Sequence, residues 1–204
     1  MDSQATLVDP KPVSIIFDSY SVHNARISLS SDPSNTLYTI YTAPAKPTAD
    51  TAIYLRTGDR TVAAIQQNDV LPDKVTFHSA DGTKEKVSCS KWLKKQTLPD
   101  KYPVRAMMFD GVSYYWKSDK NFRLALYRST DHGQPIASYA GGSPIVITIS
   151  SEREMLLANA SQILAAFIIL ESKMRRGEKF SQVAKGMGQF EATAGSGIAR
   201  NVQH

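Results

Sequence analysis

Residues 155–170 read Met155-Leu156-Leu157-Ala158-Asn159-Ala160-Ser161-Gln162-Ile163-Leu164-Ala165-Ala166-Phe167-Ile168-Ile169-Leu170, a run without a single charge. A helix that is apolar on nearly every side has to be enclosed, by protein or by lipid. At a rise of about 1.5 Å per residue the run is roughly 24 Å long, short of a ~30 Å hydrocarbon layer. Asn159, Ser161 and Gln162 also cluster in its first half, where lipid would leave them unsatisfied. Enclosure by protein is therefore expected, in one helix over 152–174. Burying Leu156, Leu157, Ile163, Leu164, Phe167, Ile168 and Leu170 stabilises a fold by about 1.5–3 kcal/mol each before ordering entropy is subtracted. Ser151 with Glu154 three residues on reads as a capping box. Lys173, Arg175 and Arg176 suit the far end of the helix dipole, and Gly177 is the expected stop.

Upstream of this helix the chain is a series of short strand patterns. Val13–Phe17, Ala25–Ser30 and Leu37–Tyr41 come first, before Ala43-Pro44-Ala45-Lys46-Pro47, whose prolines are expected to break pairing. Ala52–Arg56 and Thr61–Gln66 flank a turn at Thr57-Gly58-Asp59-Arg60. Lys74–His78 alternates with period two, and Asp81-Gly82 turns the chain into Thr83–Cys89. Val104–Phe109 and Val112–Lys117 flank Asp110-Gly111, a strong hairpin signal. Phe122, Leu124 and Leu126 share one face of the next strand, with Arg123 and Tyr127 on the other. Ile136–Tyr139 and Ile145–Ile149 complete the set. Such spacing is that of an all-β barrel or sandwich, and a terminal apolar helix favours a barrel wrapped around it.

The chain has 204 residues, 42% hydrophobic and 21% charged, which suits one folded domain with a tail. Its formal charge of +5 lies mainly beyond residue 172, where six basic residues face two acidic ones. That distribution predicts no basic face for nucleic acid. Residues 1–12 are polar and lack a signal-peptide pattern, and residues 177–204 read as a flexible basic tail. With a lone cysteine, Cys89, nothing points to an oxidising compartment. The expected location is intracellular, cytoplasmic or at a membrane periphery.

Ser90-Lys91-Trp92-Leu93, Phe109-Asp110-Gly111, Tyr115-Trp116-Lys117, Leu124-Ala125-Leu126-Tyr127, Pro135-Ile136-Ala137 and Glu171-Ser172-Lys173-Met174-Arg175-Arg176 occur in an order that carries a family resemblance. Over residues 13–176 the chain resembles a fungal family of uncharacterised domains in the tubby C-terminal-like superfamily, with tubby proteins, phospholipid scramblases and LURP-one-related proteins. The resemblance implies a closed antiparallel twelve-stranded barrel around one buried C-terminal hydrophobic helix. It carries no activity across. Scramblases have an acidic calcium-binding segment before their helix, whereas Gly141–Ser150 holds no carboxylate here. Tubby proteins bind phosphoinositide head groups through basic surface residues, so the general mode alone transfers.

Catalytic chemistry has no visible constellation. His23, His78, His132 and His204 are dispersed without zinc-ligand spacing, and no nucleophile elbow, Walker loop or dinucleotide fingerprint occurs. A non-enzymatic module without cofactor or metal is expected. Its best local candidate is Lys91, Trp92, Lys94 and Lys95, with Lys101 and Arg105 nearby. Tryptophan suits a bilayer interface, and each lysine near an anionic surface adds about 1 kcal/mol. Peripheral binding to anionic phospholipid or phosphoinositide is the leading expectation, and a protein-interaction scaffold is the alternative. Tyr114 and Trp116 are expected in the core and not on a base-stacking platform.

Overall fold

Apolar residues at alternate positions give most of the strands a face to bury, and a single sheet collects those faces. The computed structural model describes residues 13–45, 49–68 and 71–194. They form two units, one ending at Ile168 and the other beginning at Ile169.

In the first unit the strands are β1 (Val13–Phe17), β2 (Ala25–Leu29), β3 (Tyr38–Ala45), β4 (Ala49–Thr57), β5 (Arg60–Gln67), β6 (Lys74–His78) and β7 (Lys84–Ser88). A short helix α1 (Cys89–Trp92) follows, then β8 (Lys94–Thr97), β9 (Pro103–Phe109), β10 (Val112–Lys117), β11 (Leu124–Arg128), β12 (Ala137–Tyr139) and β13 (Val146–Ile149). They make one 13-stranded sheet in the order β7-β6-β5-β4-β3-β2-β1-β13-β12-β11-β10-β9-β8. Neighbours are antiparallel throughout, and the first and last strands are joined by Ile15↔Ile147.

The closed twelve-stranded barrel expected from sequence is corrected in two ways. A thirteenth strand, β8, reads Lys94-Lys95-Gln96-Thr97 and is exposed along its length, so no apolar alternation marks it. The hydrogen-bonded order also begins at β7 and ends at β8, and no ladder joins these two among the described residues. The two unpaired edges are both basic, with Lys84 and Lys86 on β7 and Lys94 and Lys95 on β8. Elsewhere the hairpin signals hold. Asp110 and Gly111 take φ 51° and 73° between the paired Phe109 and Val112, and Thr57 pairs with Arg60 around Gly58. Pro44 does not end β3; the ladder to β4 shifts register between Ala43 and Ala45 instead.

Register places Phe17, Ile27, Ile40, Leu55, Ile65, Val75, Trp116, Leu126, Tyr139 and Ile147 on one shared face, and all are buried. The apolar segment lies against that face. Phe167 meets Phe17 at 5.8 Å, Tyr139 at 5.3 Å and Trp116 at 6.2 Å between ring centroids. The expected core helix is therefore present, but it is divided. α2 covers Arg153–Ala158 and α3 covers Ala160–Ala194, with Asn159 (φ −102°, ψ 18°) between them. Asn159 donates its side-chain amide to Asp110 Oδ2 at 2.7 Å and to the Met155 carbonyl at 3.1 Å. This side-chain competition with the helix ladder accompanies the break.

The capping box does not form. Glu152 sits before α2 in the left-handed region at φ 53°, without a side-chain cap, and its carboxylate is held by Tyr114 and Arg128 instead. Nor does the helix stop at Gly177; α3 continues through it to Ala194. Gly177 has no positive φ, and the good helix formers around it offset a glycine cost of about 1 kcal/mol. In the second unit Arg175 Nε pairs with the buried Glu171 at 2.7 Å. The segment 177–204, expected as a flexible tail, overlaps the end of α3, and its residues 195–204, like residues 1–12, lie outside the described residues. No helix among the described residues is long and apolar enough to cross a membrane.

The opposite face of β9–β11 carries a second core of Val104, Ala106, Tyr115, Ala125 and Tyr127, backed by Leu98, Tyr102 and Phe122. Phe122, expected on the face of Leu124 and Leu126, precedes β11 and packs instead against this outer cluster, and Ala125 and Tyr127 are buried as well as Leu124 and Leu126.

Candidate functional site

The open margin between β7 and β8 gathers most of the residues singled out from sequence. Only α1 and Leu93 link the two edges. Cys89 donates its backbone N–H to the Asp73 carbonyl at 2.9 Å, and Leu93 donates to the Cys89 carbonyl at 2.8 Å. Cys89 and Leu93 are buried, which anchors both ends of the turn. Trp92 is half-buried and meets Phe77 edge-on at 4.9 Å. Beside it lies a cleft of about 290 Å³ floored by Val87, Trp92, Ala106 and Met107 and rimmed by Lys91, Lys94, Gln96, Ser113 and Met108. Met108 is 63% exposed, the most exposed large apolar side chain described.

The six candidate residues do not form one surface. Lys91, Trp92 and Lys94 line the cleft together. Lys94 pairs with Ala106 and, beyond it, Tyr115, on the outer face. Lys95 pairs with Arg105 and, beyond it, Trp116, on the face that packs against Phe167. Strand alternation makes this unavoidable, since neighbouring residues point to opposite sides of a sheet. Trp116 Nε1 is buried without a hydrogen-bond partner in that inner row. Lys101 lies apart, in the β8–β9 turn, at φ 65°.

Sequence reasoning missed two contributors. Lys84 pairs with His78, and Lys86 pairs with Thr76, on the outer face of β6 and β7. Lys74, opposite Ser88, continues the same row. None of Lys74, Lys84, Lys86, Lys91 and Lys94 has an ion-pair partner among the described residues. Desolvation, and next the Lys84 charge, pushes the His78 imidazole below its usual pKa. An alternating Lys-Glu-Lys pattern on an exposed edge strand looks like ordinary solvated surface, so only the register discloses the concentration of charge.

Backbone groups at the margin can be assigned from ladder alternation. Ser79 N–H bonds the Thr83 carbonyl at 3.0 Å, so Phe77/Glu85 and Val75/Val87 are the hydrogen-bonded pairs between β6 and β7. Lys84 and Lys86 therefore turn their N–H and C=O groups toward the margin. Leu98 N–H likewise bonds the Tyr102 carbonyl at 2.9 Å, which makes Gln96/Val104 and Lys94/Ala106 the bonded pairs on β8. Lys95 and Thr97 then face outward along the sheet, in keeping with Pro103, which has no N–H, opposite Thr97.

A second cleft, of about 580 Å³, lies at the start of α2 and is lined by Asp110, Tyr114, Arg128, Glu152, Arg153 and Glu154 among others. Tyr114 donates its hydroxyl to Glu152 Oε2 at 3.2 Å, and Arg128 approaches Oε1 at 3.4 Å. Burial, and next the Glu152 charge, raises the Tyr114 pKa. These contacts and the Asn159–Asp110 bond tie the divided helix to β9–β11. No group of three or more metal-ligating side chains occurs among the described residues.

Residues 20–176 match the model of a family of unknown function, DUF6593. The chain belongs to that family. The matched span includes β2–β13, α1, α2 and α3 as far as Arg176, and leaves β1 outside. No curated protein and no solved structure matches the chain.

Proposed function

We propose that this DUF6593 protein is a non-enzymatic recognition module, tubby-like in architecture and acting inside the cell, that holds an anionic protein partner at the margin between β7 and β8. One observation carries the reading: the hydrogen-bonded sheet ends at two lysine-rich edges whose outward backbone donors and acceptors have no partner among the described residues. Exposed strand edges are templates for association, and lysines on them select against a second basic edge while attracting an acidic one. The reading is tested with a photo-cross-linking amino acid in place of Gln96 in the full chain. A discrete protein adduct from an extract of the producing cells is expected, lost when Lys86→Glu and Lys94→Glu are combined.

A membrane surface is the second reading, favoured by Lys91, Lys94 and the exposed Met108 around an apolar floor. Such a cleft suits an anionic amphiphile such as a phosphoinositide or another acidic phospholipid. Co-sedimentation with phosphatidylserine vesicles, abolished by Lys91→Glu with Lys94→Glu and accompanied by no protein adduct, would transfer the site to lipid.

A further inference from the structure

We infer that the segment recognised at this margin is an extended acidic peptide that adds a strand to the edge of β8; this rests on the protein-recognition reading above. Three features of the edge point to it. The N–H and C=O groups of Lys95 and Thr97 are directed away from β9 and have no partner among the described residues, so they offer the hydrogen-bond spacing of an antiparallel neighbour. Lys91 and Lys94 line the cleft along this edge, Lys84 and Lys86 stand on the other unpaired edge, and Glu85 is the one acidic residue on β7, α1 or β8.

The third feature is the cleft itself, which gives the added strand a side-chain preference. Its floor is apolar at Val87, Trp92 and Met107, and its volume of about 290 Å³ accommodates one or two aliphatic side chains, not a folded surface. Alternation along an added strand would send aliphatic residues onto that floor and acidic residues outward to the lysines. A second copy of this chain is the wrong partner, because either of its edges would set lysine against lysine.

The probe is a fluorescent peptide of ~8 residues alternating Glu and Val, a typical strand length, with the full chain followed by anisotropy. Binding is expected, weakened by salt and absent for the corresponding Lys-Val peptide. Two main-chain tests separate strand addition from charge attraction. N-methylation of the peptide at alternate residues should weaken binding by at least about tenfold in one register and leave it intact in the other. Thr97→Pro should have a similar effect, since it removes an outward N–H without touching a bond to β9.

Equal binding of both N-methylated peptides would overturn strand addition while leaving recognition at the margin standing. Failure of every acidic peptide to bind would overturn strand addition as well; if phosphatidylserine vesicles then bind with the same lysine dependence, protein recognition falls with it. Should Thr97→Pro unfold the chain, the N-methylated pair still decides on the unaltered protein.

Discussion

Phe167→Ala tests the placement of the apolar segment inside the sheet. Phe167 is fully buried and touches three rings, Phe17 on β1, Tyr139 on β12 and Trp116 on β10, so its removal opens a cavity bounded by strands far apart in the chain. None of those neighbours can fill the space without moving a strand of the ladder. The loss is therefore expected in the full range for a buried phenylalanine, about 3–5 kcal/mol. Against a total stability of about 5–15 kcal/mol this is a large fraction. At about 2–4 °C per kcal/mol for a chain of this size, the melting temperature should fall by roughly 6–20 °C. Urea unfolding read by tryptophan fluorescence is suitable, because one of the two tryptophans, Trp116, lies 6.2 Å from the deleted ring. Phe167→Leu should cost about 1–2 kcal/mol, since it restores most of the volume. An alanine variant within about 1 kcal/mol of the parent would refute enclosure of this face of α3 and, with it, the division of the sheet into inner and outer faces.

Two further outcomes follow from local geometry. Lys101 occupies a left-handed position at φ 65° in the turn closed by Leu98 N–H to the Tyr102 carbonyl, so Lys101→Gly should stabilise by about 0.5–1 kcal/mol. A lower urea midpoint in that variant would contradict the assignment of strain to this residue. Burial, and next the Asp119 carboxylate that accepts its hydroxyl, pushes the Tyr127 pKa up to about 12. An unfolded tyrosine ionises near pH 10, so the folded state holds more protons between about pH 10 and 12 and stability falls across that window. Urea midpoints at about pH 9 and 11.5 should differ less in Tyr127→Phe than in the parent, and equal differences would count against the shift.

Much of the fold could be read because it is written in local pattern. Val13–Phe17, Lys74–His78 and Val112–Lys117 are strands in the structure over the same residues that alternation marks. Asp110-Gly111 makes its turn for the reason its composition suggests, two positive φ angles in succession. Tyr114 and Trp116 are buried as expected, yet Tyr115 between them is buried too, by an outer cluster built from Val104, Ala125 and Tyr127 on other strands. No window along the sequence contains that cluster. The candidate site was half legible. A basic segment around Trp92 is obvious, whereas the contributions of Lys84 and Lys86 depend on β7 lying across the margin from β8.

By itself, then, the order of residues determined which segments are extended, which turns are tight, and that a charge-free helix near the end must be buried, because these depend on neighbours within a few positions. Tertiary structure alone decided that no ladder joins β7 to β8 among the described residues, that Lys94 and Lys95 serve opposite faces, and that the helix divides at Asn159. Each of those outcomes depends on where elements meet: β7 and β8 end up at the two ends of the hydrogen-bonded order, β8 pairs with β9 in a register that sets Lys94 and Lys95 on opposite faces, and one amide reaches from the helix to the carboxylate of Asp110.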